Sequence, residues 1–269
     1  MQVTEITRVG DLVAAYPGLS GLLEMMGIDF CCGGQRTLAE ACKDKRLDPP
    51  TVVKTLSAQV QGLARPASEP AAIKVTGMSL TQLVDHIEAT HHQTMRHELP
   101  HIGSLLQKVI SAHGDRHPEL RTLAAEVGAF TLEIDTHLAK EEQILFPAIR
   151  RLESAMHVDR AETARTAGIG CMVNVSSAMP AGPCGALANP IRVMEMEHES
   201  AGQALARFRE LTNDFQAPSD ACPTWHALLE ALLALQKDLH QHIHKENNVL
   251  FPKVLSAEAS LHGSTGIAD

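Results

Sequence analysis

HLAKEEQILFP (His137 to Pro147) and HIHKENNVLFP (His242 to Pro252) are two versions of one phrase. In each, a histidine is followed four residues later by a glutamate, and that glutamate four residues later by Leu-Phe-Pro. The offset is 105 residues for His137 and His242, for Glu141 and Glu246, and for Leu145 and Leu250. A constant offset marks an internal duplication. If the duplicated unit is a helical hairpin, His198 requires a counterpart near position 93, where His91 and His92 stand. The repeat favours His92, which lies 45 residues before His137 as His198 lies 44 before His242; His91 is the competing choice.

Residues i and i+4 share one face of a helix, their Cβ atoms about 5–6 Å apart. An imidazole and a carboxylate so placed converge on one point, and two hairpins aim four imidazoles and two carboxylates at a common centre. A buried carboxylate pair is costly without a cation, whereas a metal pair removes the cost. Nitrogen and oxygen donors without thiolate suit iron or manganese, with zinc also compatible. Six protein donors for two metals leave positions open for small molecules. The Leu-Phe-Pro tripeptide reads as core packing and helix termination. Glu142 and Glu197 read as outward or supporting groups, and His86, His91, His97, His101, His240 and His244 as flanking histidines that are solvated, bond backbone or support the ligands.

The composition agrees with a helical protein. Of 269 residues 44% are hydrophobic but only 3% aromatic, the apolar set being mostly Leu, Ala, Val, Ile and Met, which favours helix over sheet. A formal net charge of −9 argues against nucleic acid or an anionic membrane as the main partner. Glu5 and Asp11 fall where a signal peptide needs a basic start and an unbroken apolar run. No apolar stretch approaches the roughly 18–20 residues that span a bilayer. The expectation is a soluble cytoplasmic protein whose six cysteines are reduced.

Along the chain, residues 1–64 read as a small helical domain, 65–77 as a Pro-containing linker and 78–258 as the bundle. Asp11 to Met26 has helical spacing, and Thr37 opens a second helical run. Four long helices follow. The first opens at Ser79, with Gln82 completing a capping box, and runs to about His113 with a kink at Pro100. The second starts at Pro118 and passes Ile149, the third follows Asn189-Pro190, and the fourth follows Cys222-Pro223. Short connections within each pair imply antiparallel neighbours. The Gly- and Pro-rich connection from Ala155 to Pro190 carries Cys171 and Cys184.

These segments, together with MGIDFCCGGQRTLAEAC near the N-terminus, resemble the iron–sulfur cluster repair family of hemerythrin-like di-iron proteins. The matching bundle segments are DHIEATHHQTMRHELP, HLAKEEQILFP, VMEMEHESAG and HIHKENNVLFP, in family order. The resemblance implies an all-α fold: a hemerythrin-like antiparallel four-helix bundle with a small N-terminal helical domain. It places iron ligands on His92, His137, Glu141, His198, His242 and Glu246, and prefers His92 to His91. It implies two Fe ions per chain, oxo- or hydroxo-bridged, with two histidines per iron and both glutamates bridging. The adjacent Cys31 and Cys32 become redox candidates, able to hold iron, meet a partner or carry reducing equivalents; Cys42 and Cys222 read as structural. The connection after Ala155 is longer than the family pattern.

The implied function is repair of iron–sulfur proteins damaged by nitrosative or oxidative stress, by donating iron, by binding and reducing nitric oxide, or both. Its partners would be damaged iron–sulfur proteins, nitric oxide or oxygen as small ligand, an electron donor the sequence does not name, and a second copy in a homodimer. The alternative is a hemerythrin-like sensor or store of oxygen, nitric oxide or iron without turnover; the four-histidine set favours a more open, reactive pair. A metal-free interaction bundle predicts that Glu141→Ala and Glu246→Ala are neutral or stabilising, and a zinc hydrolase lacks a separate general base.

Overall fold

A computed structural model describes residues 1–63, 75–166 and 186–263. The described residues are predominantly helical. Helices α1 (Val9–Ala15), α2 (Ser20–Met25), α3 (Leu38–Lys45) and α4 (Pro49–Leu63) form an N-terminal unit. The helical stretch expected from Asp11 to Met26 is broken: Pro17 disfavours helical backbone at Tyr16, and a 3-10 turn at Pro17–Leu19 separates α1 from α2. Thr37 starts α3 with a capping box, its hydroxyl accepting from the Glu40 N–H while the Glu40 carboxylate accepts from the Thr37 N–H.

Four long rods make the bundle. The first is α5 (Leu80–Ile87), a π-turn at Glu88–His92 and α6 (Gln93–His113). The second is α7 (Glu119–Lys140), a π-turn at Glu141–Leu145 and α8 (Phe146–Thr166). The third is the unbroken α9 (Ala188–Leu211). The fourth is α10 (Pro223–Lys245), a π-turn at Glu246–Leu250 and α11 (Phe251–Gly263). The Ser79–Gln82 capping box opens α5, and Glu153 of α8 reinforces it by accepting from the Leu80 and Thr81 N–H groups, both at 2.9 Å.

Three expectations are corrected. Pro100 lies exposed inside α6, and the helix runs through it; the departure from α-helical bonding comes earlier, at Glu88–His92. Pro147 and Pro252 do not terminate their helices. Each lacks the N–H that would bond the carbonyl four residues back, and that carbonyl belongs to the preceding π-turn, which widens the helix before the proline ring. The segment from Ala155 is helical as far as Thr166, and α9 begins at Ala188, so Asn189 and Pro190 sit in its first turn. Cys171 and Cys184 lie outside the described residues, as do positions 65–74 of the expected linker; Val75–Gly77 is a 3-10 turn with Val75 buried.

The apolar core falls into two clusters. One holds Met95, Leu99, Phe130, Ile134, Leu138, Phe208, Leu239 and Ile243, and the N-terminal unit contributes Leu12, Leu23, Phe30 and Leu38 to it. The other holds Leu83, Ile87, Leu145, Phe146, Ile191, Met194, Leu250 and Phe251. On every rod the polar residues of interest lie where one cluster gives way to the other. Apolar layers above and below therefore exclude water from a polar stratum, which makes charges there expensive unless they are paired.

Candidate metal centre

His92, His137, Glu141, His198, His242 and Glu246 meet in that stratum, all buried. The histidines turn their Nε2 atoms inward. Those of His92 and His242 share one group with both carboxylates, and those of His137 and His198 share another, with all donor atoms in each group within 4.8 Å of one another. Glu141 places Oε2 at 3.4 Å from His92 and Oε1 at 3.4 Å from His137. Glu246 places Oε1 at 3.2 Å from His242 and Oε2 at 3.1 Å from His198. Each carboxylate thus divides its two oxygens between two poles, each pole carrying two imidazoles.

Among the described residues, both oxygens of Glu141 and of Glu246 and the Nε2 atoms of His92 and His242 have no hydrogen-bond partner. Unpaired buried carboxylate oxygens are strongly unfavourable, and a cation at each pole would satisfy them together. The ionisation equilibria are interlocked. Burial, reinforced by the facing Glu246, raises Glu141 above the ordinary carboxylate range. Burial acts the same way on Glu246, but His242 and His198 beside it outweigh that and hold it well below. Burial opposes charge on His198, yet the Glu246 carboxylate lifts it to about 9, whereas burial pushes His242 down to about 3. The donor set fits divalent or trivalent cations of the nitrogen- and oxygen-preferring kind.

The outer nitrogens orient the rings. His92 Nδ1 donates to Glu142 at 2.8 Å, His137 Nδ1 to Glu197 at 2.9 Å and His198 Nδ1 to the Asn247 side-chain oxygen at 2.8 Å. Each bond fixes the tautomer that leaves the Nε2 lone pair facing the centre. Phe146 stacks on His92 and Phe251 on His198, with ring centroids 5.5 and 6.1 Å apart. Residues whose sequence context suggests packing or an outward face therefore hold the imidazoles. The clue was present in the repeat, since Glu142 and Asn247 occupy equivalent positions, as do Phe146 and Phe251.

His91 lies outside the group. Its Nδ1 pairs with Asp238 at 2.8 Å and its Nε2 with Lys245 Nζ at 2.7 Å, while Lys245 also contacts His86. His244 and His240 serve the N-terminal unit, bonding the Phe30 carbonyl and Glu24. His97 and His101 are exposed.

Cys31 and Cys32 are free, with sulfurs 3.8 Å apart, and Cys32 Sγ lies 3.9 Å from the His198 carbonyl oxygen. Asp29 organises the loop by accepting from the backbone N–H groups of Cys31, Cys32 and Gly33. The Cys31 thiol is raised well above its ordinary value, first by its bond with Cys32 and then by burial; that same bond lowers Cys32. Cys32, the exposed member, is therefore the readier thiolate. Cys42 is buried in the core and Cys222 caps α10. A mainly apolar cavity of about 360 Å³, lined by Phe130, Leu132, Ile134 and Leu239 together with the charged Lys140 and Glu197, ends on His137 and His198.

A family model described as the hemerythrin HHE cation-binding domain matches residues 83–169 and 185–254, and one described as a domain of unknown function, DUF542, matches residues 6–60. The chain is 33% identical over 249 residues to a probable iron–sulfur cluster repair protein of Haemophilus influenzae, covering 93% of this chain and 96% of that one. It is 35% identical over 251 residues to the iron–sulfur cluster repair protein YtfE of Yersinia pseudotuberculosis, covering 93% and 97%. The chain belongs to the iron–sulfur cluster repair protein family. The family model describes a cation-binding domain, and the buried histidine and glutamate stratum within the matched residues is a group that could hold metal. No described helix is long and apolar enough to cross a membrane.

Proposed function

We propose that this chain is a cytoplasmic repair protein for iron–sulfur clusters damaged by nitrosative or oxidative stress, acting through two irons. His92 and His242 would hold one iron and His137 and His198 the other, with Glu141 and Glu246 each bound to both. The supporting observation is the division of each carboxylate's two oxygens between the two histidine pairs. A bound iron pair supplies redox-active metal for binding and reducing nitric oxide and a reservoir of iron for a damaged cluster.

The chain's own residues set the terms of that chemistry. Glu142 and Glu197 accept from the Nδ1–H of His92 and His137 and keep those rings in the ligating tautomer. The mainly apolar cavity ending on His137 and His198 is an approach that suits an uncharged diatomic. Cys32, beside the His198 carbonyl and lining a second cavity with Asp29, Arg192, Glu199 and Asn247, would receive a reactant or a reducing equivalent.

Anaerobic purification after growth in iron-57 tests the reading through metal content and the Mössbauer spectrum. The expected result is about two irons per chain with a coupled signal. Glu141→Gln and Glu246→Gln should each lower iron content sharply while the helical circular dichroism persists. Absence of iron, or unchanged content in both variants, would overturn it. Stoichiometric nitric oxide binding without turnover, and without restoration of a damaged cluster, would instead favour a store or sensor.

A further inference from the structure

The duplication brings the six inner donors together symmetrically but not the groups behind them. The pseudo-symmetry that exchanges the hairpins maps His92 onto His198 and His137 onto His242. It therefore maps Glu142, which supports His92, onto Asn247, which supports His198. It maps Glu197, which supports His137, onto His91, which should support His242. His91 does not: it lies nearly parallel to the His242 ring, centroids 5.6 Å apart and planes 17° apart, and its two nitrogens are engaged by Asp238 and Lys245. His242 Nδ1 is buried and has no hydrogen-bond partner among the described residues.

Sorted by pole, the supports differ. The His137/His198 pole has a carboxylate behind one ring and an amide behind the other. The His92/His242 pole has a carboxylate behind His92 alone. The poles differ at His242, because both carboxylates also bond a cation, Glu142 to Arg96 and Glu197 to Lys140. A partner on the outer nitrogen fixes a ligating imidazole and makes it a stronger donor; its loss costs about 10–100-fold in metal affinity.

We infer that the two iron positions are unequal, and that the position between His92 and His242 is the weaker one, from which this chain gives up iron. The inference rests on the di-iron reading and assigns iron donation to one half of the site. Release of Fe(II) is a ligand exchange: the acceptor's donors replace imidazole and carboxylate, protons return to the vacated side chains, and no electron moves.

The test is anaerobic titration of the metal-free full chain with Fe(II), followed by competition with a ferrous chelator. Two affinities separated by about 10–100-fold are expected. Glu142→Gln should weaken the lower affinity and widen the gap, and Asn247→Ala should weaken the higher one and narrow it. In iron-57 samples loaded with one equivalent, Asn247→Ala should alter the Mössbauer parameters and Glu142→Gln leave them nearly unchanged. Two equal affinities in the parent chain would overturn the inequality while leaving the di-iron reading intact. The two variants acting on the opposite affinities would overturn the assignment. Failure to bind a second iron at all would instead count against the di-iron reading. Circular dichroism of each metal-free variant separates these results from a failure to fold.

Discussion

The two hairpins agree where they face each other and disagree where they face outward. Inside, His137 and Glu141 correspond to His242 and Glu246, and Phe146 on His92 corresponds to Phe251 on His198. Outside, a stripe at i, i+4 and i+8 on the fourth rod, His240, His244 and Asn248, is covered by the N-terminal unit. Phe30 packs edge-on against both histidine rings, His244 bonds the Phe30 carbonyl, and the Asn248 amide donates to the carbonyls of Phe30 and Cys31. The equivalent stripe on the second rod is Asp135, Ala139 and Gln143, of which the first and last are exposed. Duplication preserved the donors and left one outer face free to become a seat, and that seat brings Cys32 to the back of His198.

The largest effect should come from emptying the seat. Phe30 is 1% exposed and belongs to the shared core, so Phe30→Ala removes a whole buried ring. Urea unfolding should show a loss of about 3–5 kcal/mol. Gln143→Ala on the equivalent uncovered stripe should stay within about 0.5 kcal/mol of the parent. Equal losses from the two variants would mean that the outer faces are not distinguished in the way described.

A smaller effect isolates the closeness of the fit. A Cβ built on Gly34 would stand 2.3 Å from the Asn248 Oδ1 atom, and one on Gly10 would stand 2.5 Å from it. The amide cannot swing away without giving up its bonds to Phe30 and Cys31. Gly34→Ala should therefore cost about 1–3 kcal/mol, with Asn248→Ala in the same background recovering part of it. Gly202, inside α9 with nothing within 4 Å of its built Cβ, should behave oppositely, Gly202→Ala stabilising by about 0.4–1 kcal/mol. Both values follow from the same denaturant titration.

The inner half of this comparison is legible in the sequence because i, i+4 spacing and a constant offset survive in one dimension. His137, Glu141, His242 and Glu246 are found that way. His198 and His92 follow from their similar separations within each hairpin, with the family resemblance preferring His92 to His91, and the structure brings all six together. The supports are harder to read. Glu142 directly follows Glu141, and on a regular α-helix it would point about 100° away from the site. Its path to His92 depends on the π-turn that begins at Glu141, and on Arg96 of the neighbouring rod. Glu197 reaches His137 from the other hairpin, a pairing that no spacing within one helix reveals. The spacing of His240, His244 and Asn248 is visible along the chain, but what covers that stripe depends on where a separate unit docks. Pro147 and Pro252 look like stops because a proline removes a backbone donor; only the three-dimensional bonding pattern shows a π-turn accommodating it.

The far tips of the hairpins offer the smallest test, one that involves neither the site nor the seat. His113, at the end of α6, is 21 residues beyond His92, roughly 30 Å along the helix. There His117 of the first hairpin's turn places Nδ1 at 2.8 Å from Glu119 and Nε2 at 3.2 Å from Asp220 of the second hairpin's turn, where Arg116 also pairs with Asp220 at 3.1 Å. The bond to Glu119 is the first cause raising His117 above its ordinary 6.5; burial opposes it and Asp220 adds to it. A histidine raised in the folded state contributes stability that is fully present below the unfolded value and is lost as pH rises through the folded one. His117→Gln should therefore lower the melting temperature at about pH 5.5 and have progressively less effect towards about pH 9. Trp225, whose ring lies 4.8 Å from that of His117, supplies a fluorescence signal for the same titration. A loss of stability independent of pH would show that the His117 ring holds the tips by packing on Trp225 rather than by charge.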